Sequence, residues 1–170
     1  MAITNCDISG LLSASHPNPH QVLGLHPESE KGYLVITVFM PHFISTDSVI
    51  EILDYKTQKS LGKLKRLNEE GLFSLKLRRK KAFDYQLKIT RNINGEEQSV
   101  ICDDAFAFSS TQVLGELDLH LLREGNHQRA YKKLGAHLTT LNTSTGREVS
   151  GCSFAVWAPN ASNVNVIGYF

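Results

Sequence analysis

From Gly32 onward the apolar positions fall in short bursts: "YLVITVFM", "SVIEILD", "KSLGKLKRL", "GLFSLKLRR", "FDYQLKIT" and "QSVICDD". Each burst is rich in β-branched or aromatic residues and is bounded by Gly, Asn, Pro or charged residues. A recurrence of about 8–12 residues predicts an antiparallel β-sandwich. Alternation is clearest in "LFSLKLRR", which turns Phe73, Leu75 and Leu77 inward and Ser74, Lys76 and Arg78 outward. Asn94-Gly95, between two bursts, predicts a two-residue hairpin. The first β unit is expected over residues 21–103. Residues 1–20 lead into it as a short helix around Ile8–Leu12 and a rigid turn, "HPNPH", whose prolines hold their predecessors extended.

The period changes over residues 104–130, where Leu114, Leu117 and Leu121 recur at helical spacing. Ser109, Ser110 or Thr111 can cap this helical connector and Gly125 can stop it. Strand chemistry returns over residues 131–170, as "CSFAVWAP" and "NVNVIGYF" around a Pro-Asn turn. An internal repeat orders these segments. Leu23-Gly-Leu-His26, a strand, Phe39-Met-Pro41 and a further strand are echoed by Leu134-Gly-Ala-His137, a strand, Trp157-Ala-Pro159 and a further strand. Some fifty residues of strands follow in the first copy and nothing follows in the second. A half-sandwich would expose unpaired edges and an apolar face, so the chain is expected to stop inside a second module.

Composition narrows the class. The 170 residues are 41% hydrophobic and 21% charged, with 18 basic and 17 acidic side chains, so no global field draws the chain to nucleic acid or an anionic membrane. No apolar run reaches the length of a membrane span, and the opening "MAITNCDISGLLSASHP" lacks the basic start and apolar stretch of a signal peptide. A cytoplasmic protein is expected. Cys6, Cys102 and Cys152 are odd in number and widely spaced, arguing for reduced thiols rather than disulfides or a zinc site.

Candidate chemistry is sparse. Asp103-Asp104 is an adjacent acid pair whose side chains would point to opposite sides of an extended chain, so a solvated linker is expected. His16, His20 and His26 sit among prolines that forbid a helical ligand face, and turn or capping roles are expected. Arg78–Lys81, with Lys63, Lys65 and Arg66, lacks the interleaved aromatics of a nucleic-acid surface and is expected at a solvated hairpin end. Trp157 is the one tryptophan; strand burial is favoured over sugar stacking for it, as strand packing is for Tyr33, Tyr55, Tyr85 and Phe106. No catalytic residue, metal ligand or cofactor site is assigned, and the sugar-contacting residues are left open.

Three stretches, "HPNPHQVLGLHP", "VLGELDLHLLREGNHQRAYKKLGAH" and "FAVWAPNASNVNVIG", resemble the amino-terminal part of bacterial glycogen (1,4-α-glucan) branching enzymes. The resemblance runs from about His16 to Phe170. It implies a mainly β chain: an immunoglobulin-like β-sandwich of the family-48 carbohydrate-binding type, the helical connector, then the first strands of a second, incomplete sandwich. It also implies that the intact enzyme cleaves α-1,4 links and transfers the chain to a 6-hydroxyl, using carboxylates on a barrel that has no counterpart here. The expected partner is α-glucan, met through the intact enzyme, with neither nucleic acid nor membrane involved. This chain alone is expected to be inactive, as an amino-terminal fragment; a free-standing glucan-binding module and a remnant of a disrupted gene are the alternatives. Two departures stand out: Ala105-Phe106 where Pro-Tyr is usual, and Tyr169 where an acid is usual.

Overall fold

A computed structural model of the chain describes residues 3–28, 32–41, 48–93, 95–108 and 114–168. The proposed caps Ser109–Thr111, the turn residue Asn94, and Tyr169 and Phe170 lie outside the described residues. The chain forms two compact units: residues 1–110 with 142–148, and residues 111–141 with 149–170.

The first unit is a β-sandwich. Strands β1 (Gly24–Pro27), β2 (Leu34–Phe39), β5 (Lys65–Arg66) and β6 (Leu72–Leu77) form one sheet in the order β1-β2-β6-β5. Strands β3 (Ser48–Asp54), β4 (Ser60–Lys63), β7 (Tyr85–Ile93) and β8 (Glu96–Cys102) form the other, in the order β4-β3-β7-β8. All of these pairings are antiparallel. Ile36, Val38 and Phe73 of the first sheet meet Ile50, Ile52, Tyr85, Leu87 and Ile89 of the second in one buried core. Leu75 and Leu77 pack against that core, as their alternation predicts. β7 and β8 turn with Ile93 opposite Glu96, the two-residue hairpin expected there.

Two features depart from the simple pattern. "KSLGKLKRL" is not one strand: β4 belongs to one sheet and β5 to the other, and the chain crosses between them at Leu64, whose N–H donates to the Ile50 carbonyl at 2.8 Å. The basic run Arg78–Lys81 lies in the loop between β6 and β7, which belong to different sheets, rather than at a hairpin end. The outer face of the first sheet is also covered. Helix α1 (Asn5–Leu12) and the 3-10 turn Pro19–Gln21 lay Leu11 and Leu23 against Leu72, flanked by Ile3, Ile8, Val22, Phe39 and Phe106. This explains why β2 is apolar on both faces apart from the buried Thr37: Ile36 and Val38 face the other sheet, while Phe39 faces the helix layer.

The second unit contains helix α2 (Glu116–Arg123), a 3-10 turn at Ala130–Lys132 and most of the two-stranded sheet of β9 (Gly135–Asn142) and β10 (Glu148–Ala155), whose end residues Asn142 and Glu148 belong with the first unit. Gly125 follows the helix, as expected of a stop signal. The helix starts at Glu116 with Gly115 as cap, and Leu117 points to solvent while Leu119, Leu121 and Leu122 are sheltered. Residues 163–168, expected as a strand, form none: no described segment offers them a ladder, and Val164, Val166 and Ile167 are exposed.

The repeat is deeper than Leu-Gly-x-His. With one constant spacing of 111 residues, α1 recurs as α2, Pro19–Gln21 as Ala130–Lys132, and β1 begins at Gly24 as β9 does at Gly135. Asp7 accepts from the Thr4 N–H at 2.9 Å and from His16 Nε2 at 3.2 Å; Asp118 accepts from the Gly115 N–H at 2.9 Å and from His127 Nε2 at 2.9 Å. Each aspartate thus caps its helix and clamps a histidine nine residues on. His26 Nε2 donates to the Leu23 carbonyl at 2.9 Å, and His137 Nε2 to that of Leu134 at 3.0 Å. The Gly115 amide and then His127 hold the Asp118 carboxyl down to about 2. Its contribution to stability is therefore present above the usual carboxylate pKa of about 3.9 and is lost as pH falls toward 2.

The two glycines make a paired test. Gly24 has φ +93° and a Cβ there would lie 2.4 Å from the Phe106 carbonyl oxygen; Gly135 has φ +98° and would meet nothing within 4 Å. Gly135→Ala is expected to cost only left-handed strain, about 1–2 kcal/mol. Gly24→Ala adds a backbone collision to the same strain and should cost several times more. Hydrogen-exchange mass spectrometry on the two variants reads the difference as lost protection in β1, β2 and β6 for the first, and loss limited to the start of β9 for the second. In the unmodified chain, amides of residues 131–168 should exchange faster than those of β2, β3, β6 and β7, because β9 and β10 bury few side chains.

Candidate functional site

Where β8 leaves the sandwich, the next two residues carry a buried and an ion-paired carboxylate. β7 begins at Tyr85, almost wholly buried, and β8 ends at Cys102, so Asp103 and Asp104 continue the alternation of an edge strand. One of the two must then face inward. Asp104 does: it is 4% exposed, its Oδ2 accepts from the Tyr85 hydroxyl at 2.6 Å and its Oδ1 accepts from the Phe106 N–H at 3.0 Å. Burial pushes the Asp104 carboxyl up, against the hydrogen bonds that lower it, and burial with the neighbouring carboxylate pushes the Tyr85 hydroxyl far up as well. The solvated-linker expectation for this pair therefore fails, because the strand's alternation persists two residues past its last ladder bond.

Asp103 faces the other way. Its Oδ1 accepts from Arg147 Nη2 at 3.1 Å and from Gln86 Nε2 at 3.2 Å. The Arg147 guanidinium lies 4.1 Å over the Tyr55 ring and 5.5 Å from that of Phe108. Next to these groups lies a cavity of about 320 Å³, wholly within the first unit. Its walls come from four segments: His20 to His26 of the lead-in and β1, Phe83 to Tyr85, Phe106 to Phe108, and Asn142 to Ser144. Phe83, Phe106 and Phe108 are among the lining residues of two of these segments. Asp84 lines it too, and among the described residues its buried Oδ1 has no hydrogen-bond partner.

The other candidates are placed as follows. His16 and His26 take turn roles, as expected: His16 Nδ1 accepts from the Asn18 N–H at 3.2 Å and His26 bonds the Leu23 carbonyl. The Asp7 clamp on His16 lies beyond that expectation, and His20 stands edge-on to Phe106 with centroids 5.0 Å apart. Tyr33 lies under the Lys76 ammonium at 4.6 Å. Arg79 is tied to Asp54 at 3.4 Å and covers the Phe83 ring at 4.3 Å. Trp157 is not buried: it is 36% exposed and lines a separate groove of the second unit with Leu134, Phe154 and Val166, over which no described strand packs. Among the described residues no group of three His, Cys, Asp or Glu side chains could hold a metal ion. No helix among them is long and apolar enough to cross a membrane.

Fold and site together define a small two-sheet β module with a cavity at one end. Residues 4–106 match the family described as alpha-1,4-glucan branching enzyme GlgB, N-terminal domain, and the chain belongs to that family. The 1,4-alpha-glucan branching enzyme GlgB of Mycobacterium bovis is 39% identical over 164 residues, covering 96% of this chain and 20% of that protein. That of Roseobacter denitrificans is also 39% identical, covering 100% of this chain and 21% of that protein. The chain thus spans about a fifth of the length of the curated relatives it matches. A pullulanase from Anoxybacillus sp. LM18-11 aligns over 52% of this chain and 12% of its own at 12% identity, with a TM-score of 0.32, which defines neither a shared topology nor a shared site.

The buried pair carries its own test. Asp104→Ala leaves the Tyr85 hydroxyl and the Phe106 amide without their acceptor and is expected to cost about 1–3 kcal/mol. Asp104→Asn should cost less, since an amide can accept from Phe106 and donate to the Tyr85 oxygen. A carboxyl whose folded pKa is raised adds stability below its unfolded value of about 3.9 and loses it as pH rises through the folded value. The deficit of the Asn variant against the unmodified chain, measured by urea unfolding, should therefore shrink from pH 3.5 to pH 7.

Proposed function

We propose that the chain is a non-catalytic, glucan-handling region of a branching enzyme whose whole form cleaves an α-1,4-glucan and transfers the cut chain to a 6-hydroxyl. The observation that carries this reading is the family match over residues 4–106, the stretch that builds the sandwich and three of the four walls of its cavity. Within the proposal the first unit is a complete module, and the second, led in by its own capped helix, opens a related one. Retaining glycosyl transfer needs a nucleophilic carboxylate and an acid/base carboxylate about 5 Å apart. The acid pair here is otherwise engaged, Asp104 by Tyr85 and Phe106 and Asp103 by Arg147 and Gln86. The partner is a neutral polymer rather than a nucleic acid, in keeping with the net charge of +1 and with Arg79 and Arg147 being held by aspartates. The three free thiols suit a reducing cytoplasm.

Two measurements on the purified chain test this. Incubated with linear glucan, it should produce no branches by iodine absorbance or debranched-chain analysis; turnover would overturn the non-catalytic reading. Centrifuged with glycogen, it should appear in the pellet, and full retention in the supernatant would remove the glucan-handling role.

A further inference from the structure

We propose that the cavity at the end of the first unit is a binding site for one or two hexose units of an α-glucan. This rests on the glucan-handling reading above and names the place where contact is made. The volume of about 320 Å³ sits at the lower end of the roughly 300–1,000 Å³ typical of small-molecule sites. That suits a short stretch of sugar rather than a nucleotide or a large cofactor.

The lining chemistry selects the ligand class. No lysine or arginine lines the cavity and an aspartate does, which disfavours phosphates and carboxylates. A purely apolar ligand would leave the buried Asp84 Oδ1 without a partner and would desolvate the imidazoles of His20 and His26 and the polar side chains Asn142 to Ser144. A pyranose satisfies both halves of the wall. Its C–H groups rest against the apolar wall to which Phe83, Phe106 and Phe108 contribute, and its hydroxyls supply the donor that Asp84 Oδ1 lacks. The walls are rigid where rigidity matters: Tyr85 and Phe106 are both anchored on Asp104, so the flanking residues Asp84 and Phe108 are held at fixed positions in the chain.

The experiment is a titration of the full 170-residue chain, isotopically labelled, with maltose, followed by amide NMR, with cellobiose and inorganic phosphate as controls. Maltose should shift amides of residues 83–85, 106–108 and 142–144, phosphate should shift none of them, and cellobiose should act more weakly. Asp84→Asn, which preserves shape, should weaken maltose binding about tenfold, as expected for loss of a charge-assisted hydrogen bond. Trp157→Ala, in the other unit, should leave it unchanged. Phe83→Ala should also weaken it; a dispersed spectrum for that variant certifies its fold, and the Asn variant decides the matter if it does not fold. Shifts confined to the groove around Trp157, or phosphate competing with maltose, would overturn the proposal. If glycogen pellets the chain while maltose leaves the cavity amides unmoved, this site is wrong and the glucan-handling role stands; if neither binds, both fall.

Discussion

The first unit depends on one buried carboxylate. Asp104 accepts from Tyr85, the first residue of a core strand, and from Phe106, whose ring packs with Leu11, Leu23 and Leu72 beneath the amino-terminal helix. One side chain therefore joins the inter-sheet core to the layer on the sheet's outer face. The desolvation of a carboxyl is the cost of that junction, visible as its raised pKa. Gly24 has to be a glycine because the segment fixed by Asp104 brings the Phe106 carbonyl against the backbone of β1. The lead-in, the first strand and the exit from the last strand are in this way set by the same contact.

Much of the sandwich was legible because alternation and turn chemistry are local. Phe73, Leu75 and Leu77 declared their face, and Asn94-Gly95 declared its hairpin. Two further features are written in the same code but over a wider frame. The lack of alternation in β2, apolar at every position but Thr37, signals a strand covered on both faces, and Asp103-Asp104 signals one inward and one outward carboxylate. The crossing at Leu64 was not legible, since nothing local distinguishes a strand that changes sheets from one that stays. The cavity was not legible either. Its walls come from four segments spread between His20 and Ser144, and only the fold brings them together.

The repeat shows how a motif can be recognised with its purpose hidden. Leu-Gly-x-His stood out as letters, whereas the Asp-to-His clamp nine residues long did not, because its two ends are joined only when a helix and a turn form between them. The glycine, histidine and aspartate of the motif all serve the backbone. The glycine supplies a left-handed φ, the histidine returns a hydrogen bond to the leucine carbonyl, and the aspartate caps a helix. The two copies differ in what surrounds them. Leu23 is sealed at 1% exposure beneath its helix layer, while its counterpart Leu134 is only part-buried and borders an open groove.

The crossing at Leu64 makes the sandwich resemble a book with a spine. Because β4 and β5 are successive pieces of one short segment, the two sheets are stitched along that margin. The opposite margin is bounded by β1 and β8, which no short connection joins. The two covers meet there through the segment beyond β8: the Phe106 carbonyl lies against Gly24 of β1, and the Tyr85 to Asp104 hydrogen bond fixes that segment to β7. A ligand in the adjoining cavity would touch β1 and the segment beyond β8 together, and so bridge the two covers.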